Sequence, residues 1–268
     1  MSQVIGINAV QALLESAPER VRALHVVQER RDRRVAAIVA SARAKGIRVS
    51  WVERAWLDRR AEGVHQGVLA DCHELALADE AELEARWPTF TPPLLLLVLD
   101  GVTDPRNLGA CLRSANAAGV QAVLLPRRNS APLNAAALKA AAGAAESLFL
   151  VEVTNLARRL EWLKAQGVWL YAADGAGDQD WHAADLQRNA AIVLGAEGAG
   201  IRALTRRLCD FSVRIPMAGS VSSLNVSVAA GILLFEAVRQ RASLVAPAGR
   251  ESIPSGQAPV PAGQLPLP

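Results

Sequence analysis

Three blocks of the sequence gather glycine, asparagine, serine and a few charged residues that could do chemistry. They are DGVTDPRNLGACLRSA at 100–115, IVLGAEGAGI at 192–201 and IPMAGSVSSLNVSVAA at 215–230. Each block begins at or just after a short apolar run typical of a strand. Because ligands of parallel α/β sheets collect beyond the carboxyl ends of strands, each block is a candidate for ligand binding.

The first block contains Asn107, at the start of a helix predicted over 107–118, and Arg113 further along the same helix. Judged by residue type alone, Asn107 is a helix N-cap and Arg113 is a solvated side chain. The nearby carboxylates of Asp100 and Asp104 are expected to shape the turn that precedes the helix. This block alone does not decide between a structural and a catalytic role.

The second block is a strand that ends in a glycine-rich turn with Gly195, Gly198 and Gly200. Its glycine spacing is not G-x-G-x-x-G, and no Gly-Lys-Ser/Thr follows, so neither a dinucleotide site nor a P-loop is indicated. Glu197 would repel a phosphate, which favours a neutral or cationic ligand. The alternative is a simple glycine turn with an exposed glutamate.

The third block has a polar loop, with Ser223 and Asn225, in front of a very apolar helix predicted over 224–241. Backbone and small polar groups of this loop could hold an adenosine, with Met217 and Leu224 on either side of the base. The alternative is a capped core helix with Met217 as a filler. The few polar residues of the helix predict burial, in the core or at a dimer interface.

Strands alternate with helices along the chain, which predicts an α/β fold with a parallel sheet. A small α/β unit is expected over 1–72, an acidic and proline-containing linker over 73–93, and a larger unit over 94–242 that opens with the apolar strand LLLLVLD. The tail, 243–268, holds six of the fourteen prolines and is predicted to be disordered.

Composition sets wide bounds on function. Hydrophobic residues make up 51% of the 268 residues and the net charge is only +3. The charge is uneven, since residues 1–60 hold twelve Lys/Arg and six Asp/Glu, which suggests a footprint for a polyanion or, alternatively, Arg-rich solvated helices.

The chain offers little support for a secreted, membrane or zinc-binding protein. Three scattered cysteines, Cys72, Cys111 and Cys209, give neither a disulfide framework nor a metal cluster, which fits a reducing cytoplasmic setting. The amino terminus lacks the pattern of a signal peptide, and the longest apolar run is too short to span a bilayer.

Taken together, NLGACLRSANAAG, IVLGAEGAG and IPMAGSVSSLNVSVAAGILLFEAVRQR resemble, in order and separation, the three signature motifs of the SpoU (TrmH) RNA ribose 2'-O-methyltransferases. The resemblance covers residues 4–241. The opening IGINAVQALLE and the VHQG at 64–67 are similar to those of the bacterial members that methylate a guanosine near the peptidyl-transferase centre of 23S rRNA.

The resemblance implies a trefoil-knotted parallel-sheet methyltransferase domain (the SPOUT fold), preceded by a small RNA-binding domain similar to ribosomal protein L30e. It also implies a homodimer with the last helix at its interface. The cofactor would be S-adenosylmethionine, with no metal, and the partner 23S rRNA.

The resemblance also implies roles for single residues. The catalytic set would be Asn107, Arg113, Glu197, Ser223 and Asn225. Cofactor contacts would come from Gly195, Ile215, Met217 and Leu224, and RNA-phosphate contacts from Arg30, Arg31, Arg33 and Arg34.

Three rival functions remain open from the sequence. The same family includes tRNA ribose methyltransferases, and a catalytically silent RNA-binding protein could keep the fold. A dinucleotide-dependent oxidoreductase is suggested only by the glycine-rich turns and fails on glycine spacing. His65 lies in VHQG and is interpreted as a structural histidine.

Overall fold

The computed structural model describes residues 2–28, 32–61, 63–73 and 75–245. Arg30, Arg31 and residues 246–268 of the predicted tail lie outside the described residues. Among the described residues, no helix is both long and apolar enough to cross a membrane.

The N-terminal unit is a small α/β sandwich. Its elements are β1 (Ser2–Ile5), α1 (Ile7–Ser16), β2 (Val21–Val27), α2 (Arg33–Ala44), β3 (Arg48–Val52), α3 (Arg54–Arg60) and β4 (Val68–Cys72). The sheet order is β1-β4-β2-β3, with β2 and β3 parallel and the other pairs antiparallel. Helices α1 and α2 cover one face, where Leu13, Leu24 and Ile38 are buried, and α3 covers part of the other through Leu57.

The larger unit is a parallel sheet covered by helices. Its elements are α4 (Glu80–Arg86), β5 (Leu95–Asp100), α5 (Pro105–Ala117), β6 (Ala122–Pro126), α6 (Ala135–Ala141), β7 (Leu150–Val153), α7 (Leu156–Ala165), β8 (Trp169–Ala173), β9 (Gln179–Asp180), β10 (Ala190–Gly195), α8 (Ala203–Leu208), β11 (Phe211–Arg214) and α9 (Val226–Val245). The strand order is β7-β6-β5-β10-β8-β11-β9, and every pairing recorded between these strands is parallel. The predicted parallel α/β fold is therefore confirmed, and the trefoil knot stays a prediction.

Burial explains why β5 reads as one continuous apolar run. All its residues are buried, because α5 and α9 cover one face of the sheet and α7 packs against the other. The carboxyl ends of β5, β10 and β11 lie at the same end of the parallel sheet, with β5 and β10 adjacent and β8 between β10 and β11, so the three sequence blocks begin at one end of the sheet.

Three predicted boundaries differ from the structure. Helix α5 begins at Pro105, with the Asp104 side chain accepting from Arg106 N at 2.7 Å, so Asp104 and not Asn107 is its N-cap. A proline at the first helical position is well suited to that start. Helix α9 begins at Val226 and not at residue 224, and it continues past residue 243 to Val245.

Residues 75–93 of the segment predicted as a linker include α4 and pack on the larger unit. Ala78 forms a parallel bridge with Val151 at the edge of the sheet, and Leu83 of α4 is buried beneath it. Arg159 of α7 pairs with Glu80 at 3.3 Å and Glu84 at 2.9 Å. Glu80 and Glu84, which the sequence placed in a linker, are thus ion-pair partners of the buried Arg159.

The two units also meet directly. Gly143, just after α6, is close enough to α1 that a Cβ there would lie 3.0 Å from Ala12 Cβ. Arg20 and Glu146, each less than a tenth exposed, face each other across this contact at 3.7 Å. Burial raises the pKa of the Glu146 carboxyl.

The closest helix contact of the larger unit depends on Gly109. A Cβ at Gly109 would lie 2.2 Å from the backbone oxygen of Ala137, so α5 and α6 can pack only with glycine there. We expect Gly109→Ala to lower the free energy of unfolding by about 1–3 kcal/mol despite alanine's better helix propensity. Chemical denaturation measures the change.

Gly175→Ala is the control, because a Cβ at Gly175 would meet nothing within 4 Å. It should leave stability almost unchanged. Equal stability of the Gly109 and Gly175 variants would contradict the packing argument.

Candidate active site

The three sequence blocks meet at the side chain of Asn225. Its amide Nδ2 donates to Asn107 Oδ1 at 3.0 Å and to Glu197 Oε1 at 2.7 Å. An asparagine amide carries two N–H donors, so both are used. One residue from each block therefore belongs to a single hydrogen-bonded cluster.

The other end of the Asn225 side chain fixes the start of α9. Its Oδ1 accepts from Ser227 N at 2.9 Å and from Ser227 Oγ at 2.6 Å, and its backbone oxygen accepts from Val228 and Ala229. Asn225 is thus the N-cap of α9, and capping determines which way its amide donors point. Ser227 was not predicted, although a serine two residues after a capping asparagine is a recognisable signal.

The glycine-rich turn after β10 is closed by backbone pairing and by a buried charge. Ala196 and Gly200 exchange hydrogen bonds at 3.0 and 2.9 Å, and a Cβ on Gly195 would lie 2.1 Å from the backbone carbon of Gly200. Asp100, 1% exposed at the end of β5, accepts from Arg202 Nε at 2.6 Å and from Arg202 N at 3.2 Å.

This ion pair anchors the turn that carries Glu197. Asp100 was expected to shape the turn before α5, but its side chain instead accepts from Arg202, which follows the turn of the second block. No local pattern indicates that partner, because Arg202 lies 102 residues along the chain from Asp100.

Arg113 lies on α5 two turns beyond Asn107, where its side chain is exposed. Within the described part of the chain it has no acidic partner and no hydrogen bond to Asn107, Glu197 or Asn225. Glu197 instead contacts Asn225, which favours a role for Glu197 in orienting its own loop. Ser223 is exposed in the loop before α9 and is not part of the cluster.

The four predicted cofactor residues border the same edge of the sheet. Gly195 ends β10, Ile215 directly follows β11, and Met217 and Leu224 lie in the loop that leads to α9. All four are partly exposed, and Ile215 packs on the main core. Backbone and apolar side chains with one carboxylate nearby suit a neutral adenosine and a cationic sulfonium better than a pyrophosphate.

Cysteine chemistry plays no part in this site. Cys111 lies on α5 but is fully buried, and burial raises the pKa of its thiol to about 12. The thiol therefore stays protonated at neutral pH and acts as a small apolar side chain. Among the described residues, no three His, Cys, Asp or Glu side chains are grouped as metal ligands would be.

The model of the SpoU rRNA Methylase family matches residues 94–235, and that of the RNA 2'-O ribose methyltransferase substrate binding family matches residues 3–78. The chain belongs to the SpoU methylase family. Relatives named 23S rRNA (guanosine-2'-O-)-methyltransferase RlmB include those of Pseudomonas syringae, 49% identical over 92% of this chain and 99% of the relative, and Escherichia coli, 49% identical over 90% and 100%.

Solved structures agree with this SpoU assignment. The SpoU methyltransferase AviRb from Streptomyces viridochromogenes, in complex with AdoMet, covers 90% of each chain with a TM-score of 0.75 and 27% identity. The TrmH/SpoU tRNA modifying enzyme of A. aeolicus matches only 56% of this chain and 76% of its own, with a TM-score of 0.52 and 29% identity. The similarity to AviRb thus spans far more of the SpoU chain described here.

The Asn225 cluster can be tested without removing the helix cap. Aspartate caps helices as well as asparagine but has no donor, so Asn225→Asp should leave α9 intact while placing a carboxylate against Glu197. We expect methyl transfer to fall about 100-fold, because the loops that form the site would separate. Thermal denaturation should show little change.

The double variant Asn225→Asp, Glu197→Gln is the matched control. The new glutamine amide can donate to the new carboxylate, so part of the lost activity should return. If the double variant were no better than the single one, the hydrogen bond between residues 225 and 197 would not be what holds the site.

Proposed function

We infer that the protein transfers a methyl group from S-adenosylmethionine to the ribose 2'-hydroxyl of a guanosine in 23S rRNA. The observation that carries this inference is the hydrogen-bonded union of Asn107, Glu197 and Asn225, one from each signature block. Two RlmB relatives at 49% identity, matched over nearly their whole length, support the rRNA substrate. The N-terminal unit supports rRNA over tRNA, since the A. aeolicus tRNA enzyme matches little more than half of the chain.

S-adenosylmethionine supplies a methyl group on a sulfonium that is already an activated electrophile, so no metal is needed. Gly195, Ile215, Met217 and Leu224 would hold it, the glycine through its backbone and the apolar side chains around the base. The carboxylate of Glu197 lies on the turn next to Gly195 and suits a positively charged ligand.

Arg113 is the residue proposed to act on the nucleophile. A guanidinium is protonated throughout the physiological range, so Arg113 is not a general base. It would contact the phosphate beside the reacting ribose and stabilise the developing negative charge on the 2'-oxygen, with that phosphate accepting the proton. The Arg113 side chain is exposed and has no carboxylate partner in the part of the chain that the structure describes, so its guanidinium is available for this contact.

Asn107 would orient the 2'-hydroxyl, and Ser223 would shape the loop around it. Asn107 is already oriented by Asn225, and Ser223 is exposed two residues earlier in the same loop. Intact Asn107, Arg113, Glu197, Ser223 and Asn225 favour an active enzyme over a silent RNA-binding relative.

Arg33 and Arg34, with Arg30 and Arg31, are proposed to contact rRNA phosphates. Arg33 and Arg34 occupy the first turn of α2, where the helix dipole disfavours cations. The Asp32 side chain, which accepts from Arg34 N and Val35 N, offsets part of that cost. Arginines at this end of a helix do not stabilise it, so we attribute Arg33 and Arg34 to the binding of an external anion. Such contacts position RNA and carry no sequence information.

We also propose a homodimer that works in the cytoplasm, where rRNA is made. Helix α9 buries Ala230, Leu233 and Ala237 against its own unit, yet Val228 and Phe235 are each about half exposed. These two residues lie seven apart and so share one face of the helix, which needs a partner.

The reaction is tested with labelled S-adenosylmethionine and unmodified 23S rRNA or total tRNA, followed by mapping of the 2'-O-methyl group. We expect label at one guanosine of 23S rRNA, and a loss of at least about 100-fold in kcat for Arg113→Ala. Arg113→Lys keeps the charge but not the planar fork and should recover only part of the rate.

Two results would change the assignment. Label only in tRNA would keep the chemistry and overturn the substrate. Full turnover by Arg113→Ala would remove Arg113 from the mechanism.

The dimer is tested with Phe235→Asp, which places a charge in the proposed interface. Light scattering after size exclusion should show a monomer. Methyl transfer should also fall, because the helix that would lose its partner is the one capped by Asn225. Leu204→Asp is the control, since Leu204 on α8 is exposed to a similar extent, 52% against 49% for Phe235. A dimer in both variants would rule out this face.

A further inference from the structure

A cavity of about 680 Å³ with both polar and apolar walls lies between the two units, away from the Asn225 cluster. Asn8, Arg60, Val64 and Gln66 line it from the N-terminal unit, and Asn134 and Lys139 line it from around α6. We call these six residues the inter-unit groove. Helix α6 packs on α5 at Gly109, so the groove is one helix removed from the helix that bears Arg113.

The groove is positively charged at its rim. Lys139 and Arg60 are exposed, and neither has a carboxylate within ion-pair distance among the described residues. Lys139 Nζ reaches across the gap, since a Cβ on Gly63 would lie 2.9 Å from it. The carboxylate of Glu146 at the floor is buried beside Arg20 and does not neutralise the rim.

Arg34 extends the same positive surface. Its guanidinium donates to Asn8 Oδ1, which lines the groove. Arg60 also stacks over the Trp56 ring, with 4.8 Å between the guanidinium carbon and the ring centroid, and this fixes the direction of its side chain. Cations of both units therefore border one gap.

The loop at 63–67 presents Val64 at the edge of this gap. Val64 is 78% exposed, and it also borders a second concavity of about 620 Å³ lined by Arg54 and His65. The loop is held by unusual backbone geometry, with φ +51° at Gln66 and +80° at Gly67. A non-glycine residue at positive φ is costly and is often kept for function.

His65 keeps that loop in place. Its Nδ1 accepts from Gly67 N at 2.9 Å, which requires Nε2 to carry the proton that faces Asp58 Oδ1 at 2.8 Å. The expectation of a structural histidine thus agrees with the geometry. The strained backbone at Gln66 therefore belongs to a loop that keeps the apolar side chain of Val64 exposed to solvent.

We propose that the inter-unit groove seats a single-stranded segment of the RNA substrate, with phosphates on Lys139 and Arg60 and an unstacked base against Val64. Single-stranded RNA is bound by cations that follow its backbone together with apolar surfaces that receive its bases. This proposal rests on the proposed function and adds the path by which the RNA crosses from one unit to the other.

The experiment uses the full chain, a 23S rRNA transcript and S-adenosylhomocysteine as a cofactor probe. We expect Lys139→Gln and Arg60→Gln each to raise KM for RNA about fivefold, with kcat and S-adenosylhomocysteine affinity unchanged. Each should also reduce the slope of log Kd for RNA against log salt by about 0.7. Val64→Ser should raise KM without changing that slope, because no charge is lost.

Lys45→Gln is the control, as Lys45 is an exposed cation of the N-terminal unit at the far end of α2. It should behave as wild type, and thermal denaturation checks that every variant is folded. A folded Lys139→Gln, Arg60→Gln double variant with wild-type KM and salt slope would overturn the groove. If the wild type did not methylate 23S rRNA, the proposed function would be wrong. The salt dependence of RNA binding by Lys139→Gln and Arg60→Gln would still test whether the groove binds RNA.

Discussion

The site depends on how the Asn225 amide is oriented. Its two donors hold the start of α5 and the turn after β10, and its oxygen holds the first turn of α9. If the amide rotated by half a turn, its oxygen would face the Glu197 carboxylate, and the hydrogen bonds to Asn107 and Glu197 would both be lost. Ser227 opposes this rotation, because its N–H and O–H both donate to Asn225 Oδ1, at 2.9 and 2.6 Å. At the other end of α9, Gln240 and Arg241 donate to backbone oxygens of Ala184, Leu186 and Leu94 and so hold the helix against its own unit.

Five arginines illustrate two roles, one for those that pair with carboxylates and one for those that do not. Arg159, Arg202 and Arg214 are paired with carboxylates and join parts of the fold that are distant in sequence. Arg113 and Arg60 have no such partner among the described residues and are exposed. An external anion is expected at the second group, because the guanidinium groups of the first group are already occupied by carboxylates. The net charge of the chain does not reveal these two groups, because a paired arginine and an unpaired arginine each add one positive charge to it.

The alternation of strands and helices predicted the parallel α/β fold, and polar loops at strand ends marked the three blocks as candidates. The resemblance to the SpoU motifs, and not the local pattern, singled out Asn107, Glu197 and Asn225 within them. The local pattern misplaced the start of α5, where Pro105 and Asp104 together outweigh Asn107 as a helix signal. It also missed the order in segment 73–93, whose acidic residues pair with Arg159 of a later helix. Partners such as Arg202 for Asp100 follow from tertiary proximity, which no local pattern records.

The joint between the units has a consequence for how the enzyme finds its target. Small residues of α1 fit against Gly143, and Arg20 faces Glu146 with both residues almost fully buried, so sliding one unit past the other would expose a buried charge. Such a joint opposes changes in the distance between the N-terminal unit and the Asn225 cluster. An RNA anchored on the N-terminal unit would then present to the cluster the nucleotide that lies at that distance, so selection would depend on the length of folded RNA between anchor and target as well as on the shape of the nucleotide.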